Sequence, residues 1–140
     1  MRLIQCCETD TGLLQSLHQW CEAEWGHVDP QVADKDGLSF PYPIAMLNGD
    51  ELVAGLAFTR YASPITQKQA VWINAVLVKP EYRRRGLSSQ LITFAEHQVK
   101  QLNESELFVF THIPDLYTHL DWHVVETTED KFVLKSAKVI

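Results

Sequence analysis

The stretch VLVKPEYRRRGLSSQLI, residues 76–92, joins the end of one apolar run to the start of another. The run Val71–Val78 is rich in β-branched residues and predicts a buried strand. Pro80 stops that strand, because proline lacks the N–H that a strand ladder needs. From Gly86, apolar residues recur at helical spacing to about Leu102. The stretch therefore predicts strand, turn and helix, with three consecutive arginines at the turn of a chain whose formal net charge is −6.

Two faces are predicted for this helix. The residues expected to face the core are Leu87, Leu91, Phe94, Ala95, Val99 and Leu102. The residues expected to point to water are Gln90, Glu96, Lys100 and Gln101.

The arginine turn has the chemistry of an anion site. The first N–H groups of a helix have no internal partner and carry partial positive charge. Gly86 allows a ligand to approach the backbone closely, arginine offers forked donors suited to phosphate, and Ser88 and Ser89 add hydroxyls. The chain contains neither GxxxxGK[ST] nor GxGxxG, so the familiar nucleotide loops do not apply. The alternative is that the arginines only solvate a surface loop and a serine caps the helix.

The whole chain is predicted to be one α/β (α+β) domain, residues 1–140, with the element order β-α-β-β-β-α-β-α-β-β. In chain order the predicted elements are the strand RLIQCC, the helix ETDTGLLQSLHQWCEAEW, the hairpin IAMLNGDELVAGLAFTRY, the strand QAVWINAVLV, the helix after Gly86, the strand SELFVFTHI, the short helix PDLYTHLDW and the two closing strands of HVVETTEDKFVLKSAKVI. Asn48-Gly49 marks the hairpin because both residues tolerate positive φ. The segment HVDPQVADKDGLSFPYP, residues 27–43, is predicted to be a loop with at most one helical turn.

Composition narrows the class of protein. Hydrophobic residues make up 46% of the 140 residues and charged residues 21%, as in an ordinary folded domain. The acidic balance disfavours a nucleic-acid partner, and no run approaches the length of a membrane span. The three cysteines, Cys6, Cys7 and Cys21, form no CxxC pair, so neither a zinc site nor any other metal site is expected. The absence of a signal-peptide pattern predicts a cytoplasmic protein with free thiols.

Two segments resemble the GCN5-related N-acetyltransferases (GNAT family). In VLVKPEYRRRGLSS, the residues Val78, Pro80, Arg83 and Gly86 match the family pattern V-x-P-x-x-[R/Q]-x-x-G-x-[G/A], and Ser88 stands where the family has Gly or Ala. In LYTHLDWHV, a second family pattern, L/F-Y-x-x-L-G-[F/W]-x-V, is matched at Leu116, Tyr117, Leu120, Trp122 and Val124, with Asp121 in place of Gly. The resemblance covers residues 45–126 clearly and the N-terminal half in outline, where residues 26–44 are short for the family.

The resemblance implies a mixed, mostly antiparallel twisted sheet flanked by helices, and acetyl transfer from acetyl-CoA to a primary amine of a small molecule or peptide. It implies that the backbone of Val76, Leu77 and Val78 pairs with the pantetheine arm. The residues that it assigns to the pyrophosphate are Arg83, Arg84, Arg85, Gly86, Leu87, Ser88 and Ser89. Tyr117 matches the family tyrosine that protonates the leaving thiolate, and the N–H of Val76 is a candidate donor to the oxyanion.

The general base is left open by the sequence. Many members carry Glu on the strand before the turn, where the best-matching residue here is Asn74, which is not a useful base. The alternative bases are Glu22, Glu24, His27, His112 and His119. A chain of water molecules to solvent, or an acceptor amine that is already partly neutral, would make a side-chain base unnecessary. The aromatic residues that could line an acceptor pocket are Trp20, Trp25, Phe40 and Tyr42. For Trp20 and Trp25, packing in the core is the simpler interpretation.

Three other hypotheses stand beside the enzyme. Ser88, Asp121 and the missing strand Glu favour a non-catalytic acyl-CoA-binding or regulatory module. An acetyltransferase toxin acting on aminoacyl-tRNA needs a basic face that this chain lacks. A protein-interaction domain without a CoA site is the third. By analogy with the family, a homodimer through the apolar C-terminal strand KFVLKSAKVI is also a hypothesis.

Overall fold

The computed structural model describes residues 1–7, 9–25, 34–35, 38–39 and 41–140. Its strands are β1 (Arg2–Gln5), β2 (Asp34–Lys35), β3 (Leu38–Ser39), β4 (Ile44–Asn48), β5 (Glu51–Ala62), β6 (Gln69–Val78), β7 (Leu107–Thr111), β8 (Trp122–Thr128) and β9 (Lys131–Ser136). Its helices are α1 (Thr11–Trp25), α2 (Leu87–Gln101) and α3 (Asp115–Thr118), with a 3-10 turn at Pro80–Tyr82. No helix within these described ranges is long and apolar enough to cross a membrane.

Seven strands form one mixed sheet in the order β1-β4-β5-β6-β7-β9-β8. Every neighbouring pair is antiparallel except β6 and β7, which run parallel. A parallel pair needs a crossover connection, and α2 supplies it. The sheet is therefore the mixed, mostly antiparallel one that was predicted, and the order of the long elements is confirmed.

The parallel pair β6–β7 is short and the two strands then part. Their register covers only Val71↔Leu107, Trp72↔Phe108 and Ile73↔Val109. On the other side of β6, pairing with β5 shifts after Ile73, so that Asn74 is left without an opposite residue. A bulge of this kind bends and twists the strand that carries it. The bend at Asn74 coincides with the point where β6 leaves β7.

The two faces of the sheet are covered by different helices. Alternate strand residues point to opposite faces. One set, including Ile44, Leu56 and Ile73, forms the main core with Leu91 and Ala95 of α2. Each such residue is buried, and α2 lies across this face, which we call the α2 face.

On the opposite face, which we call the α1 face, helix α1 lies against a row of small residues. Cys21 of α1 packs with Ala57 and Ala75, and Leu17 packs with Ala45. At Gly55 an added Cβ would lie 2.3 Å from Leu17 Cδ2. Any larger residue at position 55 would therefore require the Leu17 side chain to shift, so glycine helps α1 to pack closely on β5.

Local turn chemistry is as predicted at several positions. Gly49 has φ of 62° between β4 and β5. Gly86 precedes α2 with φ of 75°. Asp121 has φ of 66° after α3, the left-handed conformation in which Asp can stand for Gly.

Two predictions for α2 are wrong. Glu96 was expected to point to water, and it is 3% exposed. Leu102 was expected to face the core, and it is 51% exposed because α2 ends at Gln101. The buried stripe also includes Ile92, so it is wider than a single row of apolar side chains.

The C-terminal strand is not an edge of the sheet. β9 lies between β7 and β8, and β8 forms the edge. Because β9 is paired with a strand on each side, it cannot pair with a strand of a second chain. In the predicted loop 27–43, β2 and β3 pair over two residues each. Residues 26–33, 36, 37 and 40 lie outside the described residues.

Candidate active site

A cleft opens where β6 and β7 part. It has a volume of about 410 Å³. One wall is β6 from Ile73 to Val76, and the other is β7 and the residues that follow it, from Val109 to Ile113. Ser88, Leu116, Tyr117 and Lys131 complete the lining. The cleft thus begins where the pairing between the two parallel strands ends.

The backbone of β6 has N–H groups that point away from β5, to the side on which the cleft opens. The N–H of Lys79 donates to the carbonyl oxygen of Val53 at 2.9 Å, on the β5 side. Because hydrogen bonding alternates along an antiparallel pair, the N–H of Leu77 also points to β5, and those of Val76 and Val78 point away from it. Since the pairing with β7 stops at Ile73, these two N–H groups lie on the open side of the strand.

The arginine turn forms a second, smaller cavity of about 240 Å³ beside the first. Its lining residues are Val78, Tyr82, Arg83, Arg84, Gly86, Leu87, Ser88, Ser89 and Leu116. Arg84 has φ of 64° and Gly86 has φ of 75°. Turns that pass through the left-handed region aim successive N–H groups into one concavity, which suits an anion. The N-terminus of α2 adds its own unpaired N–H groups at the same place.

The three arginine side chains have different surroundings. Arg83 Nε donates to the carbonyl oxygen of Val78 at 3.1 Å, so this side chain holds the turn against the end of β6. The guanidinium carbon of Arg85 lies 5.1 Å from the centre of the Tyr82 ring. Arg84 is exposed and lines the turn cavity, with no hydrogen bond or ion pair to the part of the chain that is described.

A polar network fixes the turn to the β4–β5 hairpin. Glu51 accepts hydrogen bonds from Lys79 Nζ at 3.0 Å and from the Tyr82 hydroxyl at 3.3 Å. Asn48 Nδ2 donates to the same hydroxyl at 3.0 Å. These bonds lower the pKa of the Glu51 carboxyl, with the Lys79 hydrogen bond the main cause. The turn is therefore held on both sides before any ligand arrives.

Tyr117 lies at the junction of the cleft and the core. It is only 3% exposed, and it lines the cleft. Its ring meets that of Trp122 edge-on, with ring centres 5.1 Å apart. Burial raises the pKa of Tyr117 well above its ordinary value of 10.0. The phenol therefore stays protonated at neutral pH and can act as a proton donor.

The candidate bases are scattered. Asn74 and His112 line the cleft. His119 lies outside the lining, with Nδ1 2.6 Å from the carbonyl oxygen of Asp115. Glu22 lies 2.6 Å from His18 Nε2. Glu24 is exposed on α1, and His27 falls outside the described residues.

The predicted aromatic wall is not assembled at the cleft by the described residues. Trp20 packs in the small α1 clusters with Cys21 and Leu17, as the core interpretation expects. Tyr42 is 40% exposed and does not line the cleft. Phe40 and the Trp25 side chain lie outside what the structure describes.

Sequence reasoning missed Phe110 and Lys131 as lining residues. Lys131 Nζ lies 5.2 Å from the centre of the Phe110 ring. The two residues are distant in the chain, and only the pairing of β7 with β9 brings them together. No local signal in the sequence could have joined them. No group of three or more His, Cys, Asp or Glu side chains suited to a metal ion occurs within the described ranges.

Comparison with known proteins identifies the class. The profile of the acetyltransferase (GNAT) family matches residues 11–120. Because that match spans most of the chain, the protein belongs to the acetyltransferase (GNAT) family. A search of curated protein sequences finds no match.

Solved structures share the fold at low sequence identity. An aminoglycoside 6'-acetyltransferase type Ii superposes with a TM-score of 0.71 at 14% identity, over 100% of this chain and 98% of its own. An aminoglycoside acetyltransferase from an uncultured soil metagenomic sample, in complex with trehalose, has a TM-score of 0.69 at 19% identity, over 91% of each chain. An aminoglycoside 6'-N-acetyltransferase complexed with coenzyme A has a TM-score of 0.68 at 14% identity, over 96% of this chain and 94% of its own.

Proposed function

We propose that the protein transfers the acetyl group of acetyl-CoA to a primary amine of a small molecule or peptide. The observation that carries this proposal is the adjacency of the two cavities. Ser88 and Leu116 line both the turn cavity and the cleft, and β6 runs from one to the other. A ligand with a diphosphate at one end and a thioester at the other suits this arrangement.

The described residues fit acetyl-CoA at each part. The concave backbone around Arg84 and Gly86 and the N-terminus of α2 suit the pyrophosphate. The outward N–H groups of Val76 and Val78 suit an extended amide-bearing arm, which would pair with β6 as an added strand. Leu77, whose N–H points to β5, supports the strand instead of contacting the arm.

The chemistry then needs three things. The amine must lose its proton, since free amines have a pKa of about 10. Its nitrogen attacks the thioester carbonyl carbon, and the N–H of Val76 would donate a hydrogen bond to the resulting oxyanion. When the C–S bond of the tetrahedral intermediate breaks, the Tyr117 hydroxyl donates its proton to the CoA thiolate and is reprotonated from solvent.

A non-catalytic acyl-CoA-binding module is the second candidate. It is favoured by Asn74, which occupies the bulge at the cleft where many family members carry Glu. An amide cannot accept the amine proton. If the protein is an enzyme, the proton of the acceptor amine must therefore pass to His112 or to water, or the amine must already be partly neutral when it binds.

Two measurements test these proposals. Calorimetric titration with acetyl-CoA tests the binding site, and detection of free thiol across a panel of amines tests transfer. Tyr117→Phe should lower kcat by about 100-fold, the scale of general acid catalysis, and leave acetyl-CoA affinity within about twofold. Tyr61→Phe, at an exposed tyrosine outside the cleft lining, is the matched control and should leave both constants unchanged.

The outcomes separate the candidates. Acetyl-CoA binding without thiol release for any amine would favour the non-catalytic module. An unchanged kcat in Tyr117→Phe would remove Tyr117 from the mechanism. Failure to bind acetyl-CoA would overturn both proposals.

A further inference from the structure

The cleft passes from one face of the sheet to the other. Val109 belongs to the core on the α2 face, so its neighbour Phe110 points to the α1 face. Phe110 pairs with Val133, and Lys131, two residues earlier on β9, points to the same side as Val133. Ala75, which packs with Cys21 of α1, lies on that face too. The cleft lining therefore has Tyr117 toward the α2 face and Phe110 with Lys131 toward the α1 face.

These two sides have different chemistry. The arginine turn and Tyr117 lie with the α2 side, where the proposed function puts acetyl-CoA. The α1 side is then left for the acceptor amine. Among the described residues that line the cleft there is no Asp or Glu, and Lys131 is the one with a permanent charge.

Lys131 has an aromatic contact but no ion pair within the described part of the chain. Its ammonium lies over the face of Phe110, which is 52% exposed, and it forms no ion pair there. The ring face holds a cation by its quadrupole without cancelling the charge. The Lys131 ammonium therefore lies at the opening of the cleft on the α1 face, in a protein that is acidic overall.

Resting on the proposed function, we propose that Lys131 selects acceptor amines that also carry an anionic group, such as a carboxylate. The ammonium pairs with the anion of the acceptor and repels acceptors with further positive charges. Lys131 therefore disfavours polycationic acceptors.

The test uses three amines with the same carbon chain. They are 4-aminobutanoate, 4-aminobutanamide and 1,4-diaminobutane, which end in a negative, a neutral and a positive group. At saturating acetyl-CoA, kcat/KM should fall in that order, by about tenfold from the first to the last, because like charges brought together at a site are costly. Most of the difference should lie in KM.

Substitutions at Lys131 test whether this residue causes the order of kcat/KM. Lys131→Gln should remove the charge preference, Lys131→Glu should reverse it and Lys131→Arg should keep it. Lys135→Gln is the matched control, since Lys135 follows four residues later on the same strand and face but outside the cleft lining. It should behave as the unaltered protein.

Equilibrium binding of the same probes to the CoA-saturated protein separates this proposal from the enzymatic one. The charge order in binding without any thiol release would support the role of Lys131 and count against acetyl transfer. Thiol release without a charge order, or an order unchanged in Lys131→Gln, would overturn the role of Lys131 and leave acetyl transfer standing. Absence of binding by all three probes would also overturn it.

Discussion

Glu96 is buried, although its place in the sequence predicted that it would point to water. It lies on α2 with its carboxyl in the core, where it accepts a hydrogen bond from the Ser136 hydroxyl. Its Oε1 and the Trp122 Nε1 are both buried without a fully formed hydrogen bond, although the indole N–H is near enough to favour the charged carboxylate slightly. Burial is the main influence, and it raises the pKa of Glu96 above the ordinary value of 4.5.

This burial predicts a pH-dependent cost. Above pH 4.5 an unfolded Glu96 releases its proton, whereas the folded chain retains it until its raised pKa is passed. The unfolded state then binds fewer protons, so the free energy of unfolding falls as pH rises through that window. Glu96→Gln removes this term and should show a flatter decline of stability as the pH rises above 4.5.

Urea unfolding at several pH values measures the effect. Glu126→Gln, at an exposed carboxylate on β8, is the control and should follow the unaltered protein. If Glu96→Gln and the unaltered protein lose stability in parallel as pH rises, the carboxyl does not titrate across the window proposed.

Tyr117 shows how a residue in a short motif acquires its properties. The family pattern predicts its position, because neighbouring residues set the helix and its left-handed end at Asp121. Its raised pKa comes from elsewhere, since the core that buries it is made by strands and by α2. Tyr117 also contacts Trp122 edge-on, and Trp122 lies beside Glu96.

At the scale of elements, the arginine turn joins three parts of the protein. The end of β6, the 3-10 turn and the β4–β5 hairpin are tied by Arg83, Lys79, Tyr82 and Glu51. Two of the three arginines are thereby engaged with the protein, one with a backbone carbonyl and one with a ring. This leaves Arg84 as the arginine able to meet a bound phosphate.

Arg84→Gln should therefore weaken acetyl-CoA binding more than Arg85→Gln does. An exposed charge pair contributes up to about 1 kcal/mol, so we expect about a threefold to fivefold higher Kd. The melting temperature should not change, because Arg84 supports no described contact. Calorimetry at low and high salt measures the loss, which salt should reduce. An equal loss in Arg85→Gln would refute the assignment of Arg84.

On the α1 face, the position of helix α1 depends on small residues in the sheet. Ala45, Gly55, Ala57 and Ala75 come from three strands, and together they let α1 approach the sheet. In each strand the small residues look ordinary. Their common purpose appears only when the register aligns Ala45 with Gly55 and Ala57 with Ala75.

At the scale of the whole molecule, the site exists because the sheet parts in the middle. Pairing of β6 with β5 continues to Val78, whereas pairing with β7 ends at Ile73. Half of the backbone donors in the last part of β6 thus have no strand partner. This split is the physical origin of both the cleft and the donors that line it.

Hydrogen exchange of the backbone reports this asymmetry. In the free protein, the amides of Val76 and Val78 should exchange faster than that of Leu77, whose N–H points to β5. Saturation with acetyl-CoA should slow the first two and leave the third unchanged. NMR of the amide signals gives all three rates. Uniform rates in the free protein, or no slowing with acetyl-CoA, would contradict the proposed pairing of the ligand with β6.

The sequence by itself determined the order of the long elements, the end of β6 before Pro80, the left-handed Gly86 and Asp121 and the place of Tyr117 in α3. Each depends on residues a few positions apart, whose backbone preferences act locally. The tertiary structure alone decided the width of the cleft, the burial of Glu96, the internal position of β9 and the meeting of Lys131 with Phe110. Those features depend on strand register and on helices packed from distant parts of the chain, which no local pattern encodes.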